Sequence, residues 1–472
     1  MSECVDLDTP VILDKPNVYF SDFFEVSRET IDEYGAFDIS LINDIPLFID
    51  PFLVYKNEKY RHLHDEIVKY LIFLQDNANN NIDDKNLNEW FMFHEVKENW
   101  FGFSVDSNKG SGLAKDFANK LNLSINNIFK QFGSNENSNT VHIEKFCLCQ
   151  DKIGKDKISD FTTNIIKDYL LSYTENFATN FINSKLCKNI SVKRAYFDYD
   201  NKIWVDKDYY LPIYNGEHVI LSPIDLLTKD NTWICKNDVI KSHYQFKKVL
   251  NHISDSNFAK EVFDFYDRSM LLATGNRTKY HKMVMNDLIK KYPSYLDYYI
   301  KYKTESDGEK EASKLTDERI FKAKSLFLNN GNELISYLKD TPFFNKEVKN
   351  SSDLREKLII LKNILNKSAN PLFIRNKKVT NAKEIKILFS ILLKANNCLK
   401  DNFKLSNSFE TKMATNPYLD NFLLERSRSD TNRQVVVIIC YSLKKANEIR
   451  SSIGKFNLSD DDNIIIIEAV HD

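Results

Sequence analysis

The chain has 472 residues, more than one hydrophobic core usually organises, so we expect two or three domains. Lys and Arg number 65 against 67 for Asp and Glu, a formal net charge of −2 at pH 7. This balance excludes a global electrostatic attraction to nucleic acid, so any such binding must use a local patch. The 11 glycines are few for this length, and neither G-x-G-x-x-G nor G-x-x-x-x-G-K-[ST] occurs, which argues against a glycine-rich phosphate loop.

The 7 cysteines are scattered without C-x-x-C spacing. We predict Cys147 and Cys149 on one side of a strand, as core residues rather than zinc ligands. No apolar segment approaches the roughly 18 residues of a membrane span, and the N-terminus lacks the basic-then-apolar pattern of a signal peptide. We therefore predict a cytoplasmic protein with reduced thiols and no membrane association.

Residues 1–236 predict an N-terminal mixed α/β domain. Before residue 100, the predicted elements are strands at 18–20 and 36–41 and a helix at 60–74. Three acids, Asp38, Asp44 and Asp50, lie close together in the sequence. They are either a carboxylate cluster for a metal ion or strand-end and turn aspartates that accept backbone N–H bonds, and we favour the second interpretation.

A short glycine-rich segment, Lys109 to Gly112, precedes a predicted helix at 114–121. Backbone amides at a helix N-terminus can bind an anion, so the segment is either a phosphate site or a tight surface connection, and we favour the connection. A strand is predicted at 141–149, with His142 and Glu144 on one face. We interpret His142 as a structural histidine rather than a base.

The later part of this domain predicts a long helix at 160–181 and then several strands between 192 and 220. Asn215-Gly216 between two apolar runs is a strong hairpin signal. A central helical region follows at 237–368, with a charged linker predicted at 304–313. Basic residues and tyrosines interleave there and form either a basic-aromatic face for nucleic acid or a solvated bundle face, and we favour the second interpretation. These residues are His281, Lys282, Lys290, Lys291, Tyr292, Tyr295, Tyr298, Lys301, Tyr302 and Lys303.

The segment that bears most directly on chemistry lies between Asp401 and Met413. Its alternating apolar residues predict a hairpin that turns near Asn407-Ser408. On the second strand, Glu410 and Lys412 are two residues apart and leave the same face. A carboxylate on each strand can hold Mg²⁺, a hard cation that prefers oxygen ligands, and an ammonium can orient the attacking water.

The predicted order around this segment is a helix at 380–394, the hairpin, a helix at 417–428, a strand at 434–441, a helix at 444–453 and a strand at 463–467. This order and the Glu-x-Lys motif resemble the PD-(D/E)xK nuclease superfamily, whose members have the restriction-endonuclease-like fold. The resemblance implies that residues 369–472 form a restriction-endonuclease-like α/β domain. It also implies that Asp401 and Glu410 bind Mg²⁺ or Mn²⁺, that Lys412 positions the nucleophile, and that Glu384 on the first helix joins the site.

An alternative interpretation treats Glu410 and Lys412 as a solvated strand face, with surface charges worth under about 1 kcal/mol. Two other segments, residues 38–53 and 157–164, resemble a family of uncharacterised bacterial proteins associated with phage defence. Together the resemblances imply an α+β multidomain nuclease that acts as a defence effector, with DNA a better candidate substrate than RNA and with a partner protein of the defence system. The alternative is a catalytically degenerate nuclease fold that serves as a binding or scaffolding subunit.

Overall fold

A computed structural model describes the following residues: 16–102, 115–128, 142–149, 154–229, 232–241, 243–366, 373–374, 377–378, 381–397, 399, 403–428, 434–458 and 463–470. Within them the protein is a mixed α and β structure, with many helices and small sheets. The predictions made for Asp401 and for the segment from Lys109 to Gly112 lie outside the described residues.

The N-terminal part contains nine α-helices and five strands among the described residues. Its helices are α1 (Phe20–Phe23), α2 (Arg28–Tyr34), α3 (Pro51–Lys56), α4 (Arg61–Asn77), α5 (Asp84–Asn86), α6 (Lys115–Ile128), α7 (Glu144–Cys149), α8 (Lys155–Ile165) and α9 (Lys167–Phe181). Its strands are β1 (Leu47–Ile49), β2 (Cys187–Asp198), β3 (Ile203–Tyr214), β4 (Glu217–His218) and β5 (Leu227–Lys229). Strands β2, β3 and β4 form an antiparallel sheet in that order, and β1 pairs antiparallel with β5.

The hairpin between β3 and β4 forms where the sequence predicts it. Asn215 has φ 50° and Gly216 has φ 84°, the two positive values that a type I′ turn requires. This turn returns the chain so that Tyr214 pairs with Glu217 and Ile213 with His218.

Three strand predictions in this part are wrong. Residues 18–20 and 36–41 contribute only isolated bridges, such as Tyr19 to Ser40, and Phe20 begins a helix. The segment predicted as a strand at 141–149 contains helix α7 instead. Its buried residues Ile143, Phe146 and Cys147 have the i, i+3, i+4 spacing of a helix. The same segment also places Phe146 and Leu148 two residues apart, which is the alternation of a strand, so the sequence alone is compatible with either structure.

The central region is helical, as predicted. Its helices are α10 (Lys236–Lys241), α11 (His243–Asn251), α12 (Ser256–Leu271), α13 (Arg277–Lys291), α14 (Tyr295–Thr304), α15 (Ser306–Ala323), α16 (Gly331–Leu338) and α17 (Ser351–Leu365). The charged segment at 304–313, predicted as a linker, mostly belongs to α15. Its Glu, Lys and Ala residues are good helix formers, so polarity alone did not indicate a loop.

The C-terminal part contains a parallel sheet. Its elements are β6 (Phe373–Ile374), β7 (Lys377–Lys378), α18 (Ala382–Lys394), β8 (Phe409–Met413), α19 (Leu419–Ser427), β9 (Val435–Cys440), α20 (Leu443–Lys455) and β10 (Ile464–Glu468). Strands β8, β9 and β10 are parallel and adjacent in that order. The predicted hairpin before β8 is wrong: residues Leu405–Asn407 form a 3₁₀ turn, and the strand begins at Phe409.

The hydrophobic cores connect distant parts of the chain. The largest joins the N-terminal part to α16, α17, α18 and one face of the C-terminal sheet. A second core holds the helices between residues 234 and 312, with Phe52, Leu53 and Leu148 packed against them. A third lies between the other face of the C-terminal sheet and helices α19 and α20. The boundaries at 236 and 368 stay predictions, and the largest core extends across both.

One contact between the N-terminal part and the central helices depends on a glycine. A π-helical turn, Lys324–Asn330, separates α15 from α16, and the Tyr19 hydroxyl donates a hydrogen bond to the Phe327 carbonyl in that turn. A Cβ atom on Gly331 would overlap the Tyr19 hydroxyl. Tyr19 is fully buried, so the ring has little space into which to move.

We therefore expect Gly331→Ala to lower the free energy of unfolding by about 1–3 kcal/mol, the usual cost of overpacking a core. Urea unfolding followed by circular dichroism measures this change. Gly454→Ala is the matched control, because nothing lies within 4 Å of its added Cβ. That substitution should leave stability unchanged or raise it by up to about 1 kcal/mol. Equal stability of the two variants would contradict the packing argument.

Candidate functional site

The Glu-x-Lys pair lies on one face of strand β8. Glu410 is level with Val436 and Lys412 with Ile438 in the parallel pairing, and both of these neighbours belong to the core under α19 and α20. The Glu410 Oε1 and Lys412 Nζ atoms are 2.6 Å apart, and the two side chains are 33% and 22% exposed. The pair is therefore half-buried at the edge strand of the sheet and open to solvent.

Neighbouring contacts fix the strand that carries this pair. The Thr411 hydroxyl donates to the Ala382 carbonyl at 2.6 Å, which ties the opposite face of β8 to the first turn of α18. Phe409 is fully buried on that same face. On the Glu-x-Lys side, the Lys412 ammonium lies 4.5 Å from the centre of the Phe422 ring of α19, a cation–π contact that orients the lysine.

Glu384 has a charged partner in another part of the chain. It lies on α18, whose first turn contacts the face of β8 that carries Thr411. Glu384 Oε2 is 2.9 Å from Lys229 Nζ, and both side chains are 6% exposed. The Asn381 side-chain amide donates a hydrogen bond to Glu384 Oε1 at 3.0 Å. The structure thus places Glu384 in a buried ion pair with the N-terminal part, rather than beside the Glu-x-Lys pair.

The donor set for the implied Mg²⁺ is incomplete among the described residues. Glu410 supplies one hard oxygen ligand, which suits Mg²⁺, and Asp401, the expected second ligand, lies outside them. Mg²⁺ commonly uses only one or two protein carboxylates and completes its shell with water and substrate phosphates. The chemistry of Glu410 therefore fits the ion, and Asp401 is the residue that would complete the protein's share of the site.

The three N-terminal aspartates are buried but have separate surroundings. Asp38 accepts hydrogen bonds from the Ser21 amide at 2.9 Å and hydroxyl at 2.8 Å, and Arg28 Nε is 3.1 Å away. Asp50 accepts from the amides of Phe52 at 3.0 Å and Trp233 at 2.8 Å, which caps α3 and holds the chain after β5. Asp44 is 3% exposed, beneath Gly102. The contacts of Asp38 and Asp50 are those of aspartates that satisfy backbone and side-chain donors.

Burial raises the pKa of Asp50 to about 7, with nearby Glu144 adding to the effect, and raises that of Asp38 to about 6. An unfolded aspartate has a pKa of about 3.9, so the folded protein binds these protons more tightly than the unfolded chain. We therefore expect the free energy of unfolding to fall as the pH rises from about 4 to 7. Chemical denaturation across this range measures the slope. Asp50→Asn should flatten it, and an unchanged slope in that variant would contradict the assignment to Asp50.

His142 and Glu144 lie at the start of α7 rather than on a strand. His142 Nδ1 is 3.7 Å from Glu144 Oε2, and both side chains are buried. The Tyr55 ring packs edge-on against the His142 ring, with centroids 4.8 Å apart. These contacts place the imidazole inside the core, the surroundings of a structural histidine. Cys147 is buried and Cys149 half-buried, and both are free thiols.

Several tyrosines of the central region pack against other residues of the protein. Tyr295 is 1% exposed, Tyr298 stacks on Phe258 with ring centroids 5.8 Å apart, and Tyr292 contacts Phe258 and Phe265 edge-on. Lys303 is also buried, with its ammonium 3.0 Å from Asp238. On α13, the Lys291 ammonium lies 4.7 Å from the centre of the Phe265 ring and 5.3 Å from that of Tyr292, so these rings are engaged in contacts within the protein. This surface has the character of a solvated bundle face.

Comparison with known proteins gives a match only in the N-terminal part. Residues 25–235 match the model of a protein family described as a domain of unknown function, DUF8370. No curated protein and no solved structure matches the chain. The Glu-x-Lys strand lies outside the matched segment. Among the described residues, no helix combines the length and apolar character that crossing a membrane requires.

A further group, two glutamates and a histidine, was not predicted from the sequence. Glu98, Glu217 and His218 come together in space although most of the N-terminal part separates Glu98 from the other two. Glu217 and His218 directly follow the strongly predicted Asn215-Gly216 turn, but neither has a motif that would indicate its partner. Only the fold brings the three side chains together.

Proposed function

We propose that the protein is a metal-dependent nuclease that hydrolyses phosphodiester bonds of nucleic acid and acts as an effector of bacterial defence against phage. The observation that carries the proposal is the half-exposed Glu410–Lys412 pair on one face of β8. The helix, Glu-x-Lys strand, helix and parallel strand that follow one another from α18 to β9 support a restriction-endonuclease-like domain.

In this proposal, each residue has a defined task. Glu410 and Asp401 would hold Mg²⁺ or Mn²⁺, and the bound ion would supply Lewis-acid chemistry at the scissile phosphate and a more acidic water. Lys412 lies beside the carboxylate and stabilises negative charge near the reacting phosphate. The Phe422 ring limits the positions that the lysine can adopt. Glu384 is assigned no direct task, because its carboxylate is held in the buried ion pair with Lys229.

A cleavage assay tests the proposal. The purified chain is incubated with plasmid DNA, single-stranded DNA and RNA, with Mg²⁺ or Mn²⁺ and with EDTA as the metal-free control. We expect metal-dependent cleavage, with DNA preferred over RNA, and its loss in Glu410→Gln, which keeps the size of the side chain but is a weaker metal ligand. Cleavage that persists in EDTA or in Glu410→Gln would contradict the assignment.

A second function is favoured by a specific observation. The sheet that carries the Glu-x-Lys pair shares a core with the N-terminal part, and α18 is joined to that part by the buried Lys229–Glu384 ion pair. Such a sheet can serve as a rigid scaffold without catalysis. A degenerate nuclease fold acting as a subunit of a defence complex is therefore the alternative. Phage protection that survives Glu410→Gln in cells would favour it.

A further inference from the structure

The N-terminal part contains a cluster with the composition of a metal site. One ligand atom from each of Glu98, Glu217 and His218 lies within 4.8 Å of the other two. The described residues contain no other group of three or more His, Cys, Asp and Glu side chains this close together. The cluster is separate from the Glu-x-Lys pair and lies within the segment that matches the domain of unknown function.

The backbone holds these residues in place. Glu98 is in a 3₁₀ turn, Lys97–Asn99, and its carbonyl accepts a hydrogen bond from the Ile220 amide at 2.9 Å. Glu217 and His218 form β4, whose position is set by the type I′ turn and by pairing with β3. Two independent segments thus present their side chains from fixed backbone, which reduces the ordering that a ligand must impose.

The His218 ring provides a second observation. Its Nε2 atom is buried, and within the described part of the chain it has no hydrogen-bond partner. A buried polar atom without a partner is destabilising, and a water or an ion that completes the site is one of the explanations for such an atom. Neutral imidazole is the form of histidine that binds metal ions, through an unprotonated ring nitrogen.

We propose that Glu98, Glu217 and His218 bind one divalent transition-metal ion. Two carboxylates and one imidazole form a mixed oxygen and nitrogen donor set, which suits Zn²⁺ or Mn²⁺ better than Mg²⁺, because Mg²⁺ prefers an all-oxygen shell. The bound ion would join the β3–β4 hairpin to the 3₁₀ turn and leave coordination positions open to water. This proposal does not depend on nuclease activity.

Lys97 is a competitor for the same carboxylate. Its ammonium is 3.6 Å from Glu217 Oε1 and gives the metal-free protein a partial substitute for a cation. An entering ion must displace this ammonium or share the carboxylate with it. Lys97→Ala should therefore strengthen metal binding, a result that a purely structural ion pair would not produce.

The test is titration of the full-length, EDTA-treated protein with Zn²⁺, Mn²⁺ and Mg²⁺ by isothermal titration calorimetry, together with thermal unfolding at each metal. We expect one tight Zn²⁺ or Mn²⁺ ion per chain, weak binding of Mg²⁺, and a metal-dependent rise in melting temperature. His218→Ala should weaken binding about 100-fold or more, since loss of even an outer-shell partner costs 10–100-fold. Glu217→Gln is the second variant, because Glu217 is exposed and its replacement should not affect folding.

A control variant separates this site from others. His62→Ala removes an exposed histidine of the same part of the chain and should change neither the affinity nor the stoichiometry. Lys97→Ala should raise the affinity severalfold. The proposal would be overturned if the unmodified protein bound no stoichiometric ion. It would also be overturned if His218→Ala and Glu217→Gln bound the ion as tightly as the unmodified protein.

Discussion

Lys412→Ala is expected to lower the rate of nucleic-acid cleavage by about 10²–10⁴-fold, the usual effect of losing a positioned electrostatic or acid–base group. The Lys412 ammonium is 2.6 Å from Glu410 Oε1, so it lies directly beside the proposed metal ligand. The same change should alter the free energy of unfolding by under about 1 kcal/mol, since the ion pair is partly exposed and screened by solvent. Initial rates on plasmid DNA and urea unfolding measure the two effects separately.

Lys445→Ala is the matched control for this prediction. Lys445 also pairs with a glutamate, Glu448, at 2.9 Å, on the surface of α20 in the same part of the chain. Its loss should leave cleavage unchanged. In cells, Lys412→Ala should abolish phage protection at an unchanged protein level. If Lys412→Ala and Glu410→Gln both retained protection, the scaffold function would be favoured over catalysis.

The second large effect is expected at the buried pair formed by Lys229 and Glu384. Removing one partner of a buried ion pair leaves the other charge without compensation, and this costs about 3–5 kcal/mol. Lys229→Met should therefore destabilise the protein strongly, because Glu384 would remain in a site that is only 6% exposed. Chemical denaturation followed by tryptophan fluorescence measures the change in the free energy of unfolding.

The double variant Lys229→Met/Glu384→Leu provides the control. Replacing both charges with apolar side chains of similar size removes the uncompensated charge, so stability should recover most of the loss. The same variant tests the role of Glu384 in catalysis. We expect the double variant to keep full cleavage activity, because the Glu384 carboxylate pairs with Lys229 and has no assigned task in catalysis. If the double variant had normal stability but no cleavage activity, we would infer that Glu384 takes part in catalysis.

Several elements could be predicted from local patterns because their causes are local. The apolar spacing of α18, the continuous apolar runs of β9 and β10, and the Asn215-Gly216 turn each depend on residues that are neighbours in sequence. Where two periods fit the same residues, local pattern failed. The segment from His142 to Cys149 satisfies both strand alternation and helical spacing, and packing against the N-terminal core selected the helix.

The same distinction applies to the candidate sites. By itself, the sequence determined that Glu410 and Lys412 leave one face of a strand, because alternation along a strand is a property of the backbone. Only the tertiary structure decided that Glu384 pairs with Lys229, and that Glu98 meets Glu217 and His218. Side-chain partners from distant segments depend on how elements pack, and burial makes an uncompensated charge too costly to leave unpaired. The spacing of residues along the chain does not indicate how the elements pack or which charges become buried.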